Sequence, residues 1–392
     1  MTRIRRTAVA AVLALVLPLP IAAADTAFAA PGPTAVATAT PDALVRAELP
    51  RPTGPHAVGR STLHLVDEHR QDPWVPAAGA RQLMVSVYYP ARPGTGGPAP
   101  YMTTEEARLL LQRKAPGSGI SPEALSGTRT WAHADARPAH GRFPLVVLSP
   151  GFGYPRALFT SVAEDLASRG YAVALVDHTY ESPGITFPGE QTLACAICDQ
   201  PPTGGSEAVA RSRATDLSFV VSQLTERHPV WRYARMIDPK RIGMAGHSLS
   251  GDATAMAMAA DDRVRAGVNM DGSFQESHNP AADMHGRPFL LFGAEHESPG
   301  MDPSWTQGWA NLDGWKRWLT ITGSEHGTFS DLALLATLAG RPAPVGAIPP
   351  LRGLEITRTY LGAFFDLHLK GIPQPLLDGP SPEAPEVVFQ QP

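Results

Sequence analysis

Short apolar runs alternate with helix-like segments along most of this chain, and that alternation restricts the fold more than any other feature. Pro144–Leu148, Tyr171–Val176, Ile242–Ala245, Ala266–Met270, Phe289–Phe292 and Leu319–Thr322 are brief and mostly apolar. Runs of this kind suit strands covered on both faces of a parallel sheet. Leu83–Tyr89 is a further strand, stopped by Pro90. Ala157–Arg169 and Glu207–Arg227 are amphipathic helices, the first closed by Gly170 as a C-cap. Ser250–Ala260 is helical, and Leu354–Leu369 carries Ile356, Tyr360, Phe364 and Leu367 at helical spacing. Strand–helix alternation predicts an α/β fold, a mostly parallel central sheet with helices on both faces. No internal repeat is visible, so one domain is expected.

The first thirty residues break that rhythm and read as an address. Arg3, Arg5 and Arg6 precede an apolar run from Ala8 to Ala24, interrupted by Pro18 and Pro20, and then Ala27-Phe28-Ala29. That is the pattern of a secretory signal peptide over residues 1–29. The run is too short and too broken for a membrane span of about 20 residues. A secreted protein with no transmembrane segment is therefore expected. Residues 30–60, rich in Ala, Pro and Thr without periodicity, read as a flexible linker, leaving 61–392 as the folded domain. The formal net charge is −4, and −6 once three arginines and Asp25 leave with the signal. A nucleic-acid binder would usually show a basic stripe instead. In an exported chain, Cys195 and Cys198 read as a short-range disulfide. A redox motif would need to open a helix, which Pro201-Pro202 prevents, and two further ligands for a zinc site are missing.

Residues 242–251 read Ile-Gly-Met-Ala-Gly-His-Ser-Leu-Ser-Gly. A short strand runs into a tight turn and then into an Ala/Met-rich helix, the context of a nucleophile elbow centred on Ser248. Gly246 and Ser250 supply the small residues two positions before and after, with Ser250 standing where glycine is usual. A serine hydroxyl needs a base, and the base needs an acid to orient it. In this architecture they follow in the order serine, acid, histidine. His326, in Gly323-Ser-Glu-His-Gly just beyond the last strand, is the expected base; His296 and His368 read as surface residues. Two loops offer the acid, Asp271 after one strand and Glu295 or Glu297 after the next, and spacing alone does not separate them. The oxyanion hole needs two backbone N–H groups. Leu249 supplies one, and Phe152 in Ser149-Pro-Gly-Phe-Gly153 supplies the other. No metal or organic cofactor is required.

Several of these segments together resemble the α/β-hydrolase branch of plasma-type (group VII) platelet-activating-factor acetylhydrolases and their bacterial secreted relatives. The matching features are Val87–Pro90, Ser149-Pro-Gly-Phe-Gly, Asp165–Tyr171, Gly-His-Ser-Leu-Ser-Gly, Val-Asn-Met-Asp-Gly, Gly-Ser-Glu-His and Phe364–Leu369, across residues ~80–370. The resemblance implies an α/β-hydrolase catalytic domain acting on small ester or lipid substrates, short acyl chains above all. It also implies Asp271 as the acid, 23 residues after Ser248 and 55 before His326. Two positions depart from the family: Pro150 stands where a histidine is usual, and Ser250 where glycine is usual. The Ser-Pro-Gly form is similar instead to cutinase-type polyester hydrolases, where Glu297 would fall near the acid. A cutinase- or lipase-like esterase, a non-catalytic binding module on a hydrolase fold, and a redox protein built on Cys195/Cys198 remain as alternatives.

Two segments bear on the substrate. Trp305, Trp309, Trp315 and Trp318 either pack the last strands onto the core or seat the protein transiently on a lipid surface. Tyr101–Lys114 reads as a helix capped by Thr103 or Thr104, with Glu105 and Glu106 in its first turn. As an insertion between two early strands, it is expected to border the acyl pocket beside Ser248 and limit its depth.

Overall fold

The computed structural model describes residues 47–275, 281, 284–339 and 345–392. The expected signal peptide, and the expected linker up to residue 46, lie outside the described residues. The rest of the expected linker is corrected: residues 47–60 are packed. Leu49 is buried, Thr53 N–H and Oγ1 donate to Asp165, and Gly54 N–H donates to Ser168 Oγ. The sequence hides this because the segment is held through backbone groups and single side chains rather than a periodic face.

In chain order the elements are β1 (Ala57–Gln71), β2 (Ala80–Ala91), β3 (Gly97–Pro98), α1 (Thr104–Lys114), α2 (Pro122–Ser126), β4 (Ala132–Ala134) and β5 (Phe143–Ser149). They continue with α3 (Thr160–Ser168), β6 (Ala172–His178), β7 (Gly184–Thr186), β8 (Thr192–Ala194), α4 (Gly205–Thr225), β9 (Ile237–His247), α5 (Leu249–Ala260) and β10 (Val264–Met270). The last are β11 (Phe289–Ala294), α6 (Pro303–Asn311), β12 (Lys316–Ile321), α7 (Leu332–Ala339), α8 (Pro350–Lys370) and β13 (Val387–Phe389). The main sheet runs β13-β12-β11-β10-β9-β5-β6-β2-β1-β4-β3. Its centre, β12 to β6, is parallel, while β2 and β13 pair antiparallel at either side.

The period-two geometry of a strand divides the apolar residues between two cores. Val146 and Leu148 of β5 face one, built with α1, α3 and α8; Leu145 and Val147 face the other, built with α4 and α5. Helices therefore cover both faces. Because β5, β9, β10, β11 and β12 run the same way, the loops after them open at one edge, where open α/β sheets carry their chemistry.

The four clustered tryptophans take the packing role. Trp305 and Trp318 are fully buried with ring centroids 5.5 Å apart, Trp309 packs on Trp318, and Trp315 packs against Phe364 and His368. None of the four is exposed. His368, expected at the surface, is half-buried among those aromatic rings, where burial pushes its imidazole down to about 4.

Candidate active site

The turn between β9 and α5 holds Ser248 at φ 57° and ψ −133°, a conformation that a side-chain-bearing residue adopts only under constraint. Two backbone bonds supply it: Ser248 N–H donates to Met270 O and Gly251 N–H donates to Ser248 O, both at 2.7 Å. Glycine is required on either side. A Cβ at Gly246 would overlap the Ser250 carbonyl, and one at Gly251 would overlap the Asn269 side chain.

Asp271 ends β10, also at positive φ (57°), with its carboxyl buried. One oxygen, Oδ1, accepts Ala294 N–H at 2.6 Å, and Oδ2 accepts His326 Nδ1–H at 2.5 Å. Burial pushes this carboxyl up, but the hydrogen bond and charge of His326, with the Ala294 N–H, outweigh it and hold it below the usual range. His326 opens the turn after β12 with its ring about half exposed. Its Nδ1 is committed to Asp271, so Nε2 is left to face a reacting proton. Among the described residues Ser248 Oγ makes no hydrogen bond, to His326 or elsewhere. Of the three candidate acids, only Asp271 bonds to His326. Glu297 lies beside His296 instead, and Glu295 accepts the Gly323 N–H at 2.9 Å.

His247 has a part that the sequence did not announce. Its Nε2 donates to the His326 carbonyl at 2.8 Å, and its ring packs against His326, Tyr154, Phe159 and Phe329. Burial, then the neighbouring His326, pushes it down to about 3, so it is neutral and fixes the histidine loop without competing for protons.

The loop after β5 lies directly on the elbow. A Cβ at Gly151 would stand 2.7 Å from His247 Nδ1 and 3.1 Å from Ser248 Cβ. Among the described residues neither the Phe152 nor the Leu249 N–H has an acceptor, and both belong to the segments flanking Ser248. A buried polar network clamps this loop from below. The Pro150 carbonyl accepts from Arg213 Nη1 (2.6 Å) and Ser250 Oγ (2.8 Å), and Ser250 Oγ also meets Arg213 and Ser149 Oγ. Arg213 pairs with Glu181 at 2.6 Å; Arg81 reaches Asp72, Glu181 and Asp216; His178 joins Asp216 to Ser149. Burial pushes the Glu181 carboxyl up, yet Arg213 and Arg81 hold it below its usual range. His178, Glu181 and Asp216 have metal-ligating side chains within reach of one another, but those arginines already neutralise the two carboxylates. The available signals for this network were faint: a hydroxyl where a bare glycine is usual, and an arginine just ahead of the apolar run of β2.

The inserted helix α1 reaches the same region. Thr103 is its N-cap, closing a capping box with Glu106. At its other end Lys114 Nζ sits 4.5 Å from the centroid of the Tyr154 ring, which stacks on His247. Arg113 ties α1 to the Cys198 carbonyl and to Asp199, beside the Cys195–Cys198 disulfide. A cavity of about 450 Å³ lies between β1, β2 and the start of α1; its lining includes Tyr101, Met102 and Arg156 but not Ser248, Asp271 or His326.

Residues 44–200 match the family described as platelet-activating factor acetylhydrolase, isoform II. A protein of Arthroderma benhamiae, named a probable 1-alkyl-2-acetylglycerophosphocholine esterase, is 29% identical over 91% of this chain and 96% of its own. The platelet-activating factor acetylhydrolase of Canis lupus familiaris is 23% identical over 48% of this chain and 48% of its own, so about half of that enzyme is spanned. Among solved structures, a ferulic acid esterase from Streptomyces cinnamoneus superposes with a TM-score of 0.79 and 42% identity, covering 88% of this chain and 100% of that one.

Proposed function

Because the chain resembles the platelet-activating factor acetylhydrolase family, has the α/β-hydrolase fold and is a carboxylic ester hydrolase, we propose that it is a secreted serine esterase working through Ser248, His326 and Asp271. The observation that carries this reading is the Asp271–His326 hydrogen bond beside the constrained Ser248 turn. His326 Nε2 takes the proton of Ser248 Oγ as that oxygen attacks the ester carbonyl. The N–H groups of Phe152 and Leu249 receive the negative charge that develops on the carbonyl oxygen. His326 returns the proton to the leaving alcohol, and water then cleaves the acyl-serine with His326 again as base. Asp271 keeps the imidazole in the tautomer that leaves Nε2 free, and stabilises its charged form.

Compact acyl groups are the expected substrates, a reading supported by the end of α1, where Lys114 Nζ sits 4.5 Å from the Tyr154 ring that stacks on His247. The curated relatives carry the same implication in their names, an acetyl ester of a phosphocholine ether lipid. A second reading, an aromatic hydroxycinnamoyl ester, is favoured by the ferulic acid esterase that is 42% identical. The non-catalytic module is set aside, since this chain is an ester hydrolase. The cutinase-type assignment of Glu297 loses its basis, since Glu297 makes no bond to His326.

The test is Ser248→Ala, which removes the nucleophile but keeps a small residue in the turn. The variant should be secreted and folded, with activity near background on p-nitrophenyl acetate, a 1-alkyl-2-acetylglycerophosphocholine and methyl ferulate alike. Retention of more than about one per cent of wild-type kcat would overturn the assignment, given the roughly 10⁶-fold cost of losing such a serine elsewhere. The ratio of kcat/KM between the last two substrates decides which acyl class the protein serves.

A further inference from the structure

His296 and Glu297 take no part in the proposed chemistry, yet they face its acid. His296 Nε2 lies 3.5 Å from Glu297 Oε1 and 3.9 Å from Asp271 Oδ2. The second Glu297 oxygen has no hydrogen-bond partner among the described residues, although Glu297 is only 5% exposed. Two buried carboxylates and an imidazole each bring one ligand atom within 4.8 Å of the others. We propose that Asp271, His296 and Glu297 form a binding site for a zinc-class divalent cation.

The donor set favours that class of ion. One imidazole nitrogen and two carboxylate oxygens suit zinc and its neighbours, whereas calcium and magnesium prefer all-oxygen shells. Tetrahedral zinc holds N and O ligands at about 2.0–2.2 Å, which sets ligand atoms roughly 3.3–3.5 Å apart. The two His296 separations, 3.5 and 3.9 Å, lie within about 0.6 Å of that spacing. The His296 side chain is 55% exposed and gives the ion a route from solvent. Three protein ligands leave the fourth position to water.

Asp271 Oδ2 is also the atom that orients His326, so the bound ion withdraws that acceptor and inhibits ester hydrolysis. This consequence rests on the proposed triad; the binding does not. The experiment is calorimetric titration of zinc into the wild-type protein, His296→Asn and Glu297→Gln, with ester hydrolysis followed in parallel. Binding of one equivalent that weakens by at least about tenfold in both variants, with hydrolysis in the absence of zinc little changed, supports the site. Equal affinity in all three proteins would mean that zinc sits elsewhere, His326 alone being the obvious place, and would overturn it. No binding at about 1 mM zinc would do the same. Zinc that binds as expected but leaves hydrolysis untouched keeps the site and counts against Asp271 as the triad acid, so the two readings fail separately.

Discussion

Asp271 and Glu297 are both buried carboxylates at the same sheet edge, and one hydrogen bond separates their roles. Asp271 holds His326 Nδ1–H and is kept ionised by it; Glu297 has no such partner and is pushed towards the neutral form. Asp271→Asn should therefore lower kcat by about 10⁴ by favouring the wrong imidazole tautomer. Glu297→Gln, which loses no catalytic contact, should change kcat by less than about threefold, a shift below 1 kcal/mol. Steady-state kinetics on one chromogenic ester ranks the two, and the reverse order would return the acid to the strand after β10. His247 belongs to the same scale: a neutral imidazole bonded to the His326 carbonyl positions the proposed base.

At the level of elements, the loop after β5 gains its rigidity from α4 and α5 beneath it. Arg213 on α4 and Ser250 on α5 both donate to the Pro150 carbonyl, next to the residues that carry the Phe152 N–H. Ser250→Gly restores the commoner residue but removes a hydroxyl bridging three groups. It should lower kcat by roughly tenfold, on the order of 1.4 kcal/mol, with KM little changed. Arg213→Met strands Glu181 without one of its two arginines, and breaking a buried pair in this way costs about 3–5 kcal/mol. A denaturant midpoint that does not move would refute that clamp. The helix α1 makes a separate prediction. Since a pocket gains about 0.8 kcal/mol per buried methylene only while depth lasts, kcat/KM on p-nitrophenyl esters should peak at about C2–C6 and fall by C12. A profile still rising at C12 would remove α1 as the limit and favour a lipase-like range.

Over the whole molecule, buried carboxylates set the response to pH. Burial pushes Glu164 up to about 8, Asp331 and Asp252 to about 7, and Asp177 to about 6. Each has a folded value above its unfolded one, so between about pH 4 and pH 8 the unfolded chain has released protons that the folded chain retains. Stability then falls as pH rises through that window. Asp271, Glu181 and Asp216 are depressed instead, and their contribution is present above the unfolded value and lost as pH falls through the folded one. Stability should be greatest in mildly acidic solution, with Tm falling by a few °C between about pH 5 and about pH 8. Glu164 accepts the Trp131 and Ala132 N–H groups through one oxygen. Glu164→Gln can keep those bonds while losing the titration, so it should flatten the slope in a thermal melt series. An unchanged slope would show that Glu164 is ionised in the folded protein.

Local signals made much of this protein legible in its sequence. Apolar runs too short for helices fixed the parallel strands, and Gly-His-Ser-Leu-Ser-Gly between a strand and a helix marked the turn, because a side chain at φ 57° needs small neighbours that are adjacent in the chain. His326 followed from chain order. The choice between Asp271 and Glu297 did not, because both loops open at one edge and only the packing of β10 against β11 decides which carboxylate meets the imidazole. The buried network of Arg81, Glu181, Arg213, Asp216 and Ser250 was equally illegible, its members scattered over some 170 positions of the chain. A charge in a sequence is read against its neighbours, where it suggests solvent. Its partner across the sheet exists only once the chain has folded, and it is that partner which lets an arginine be buried at all.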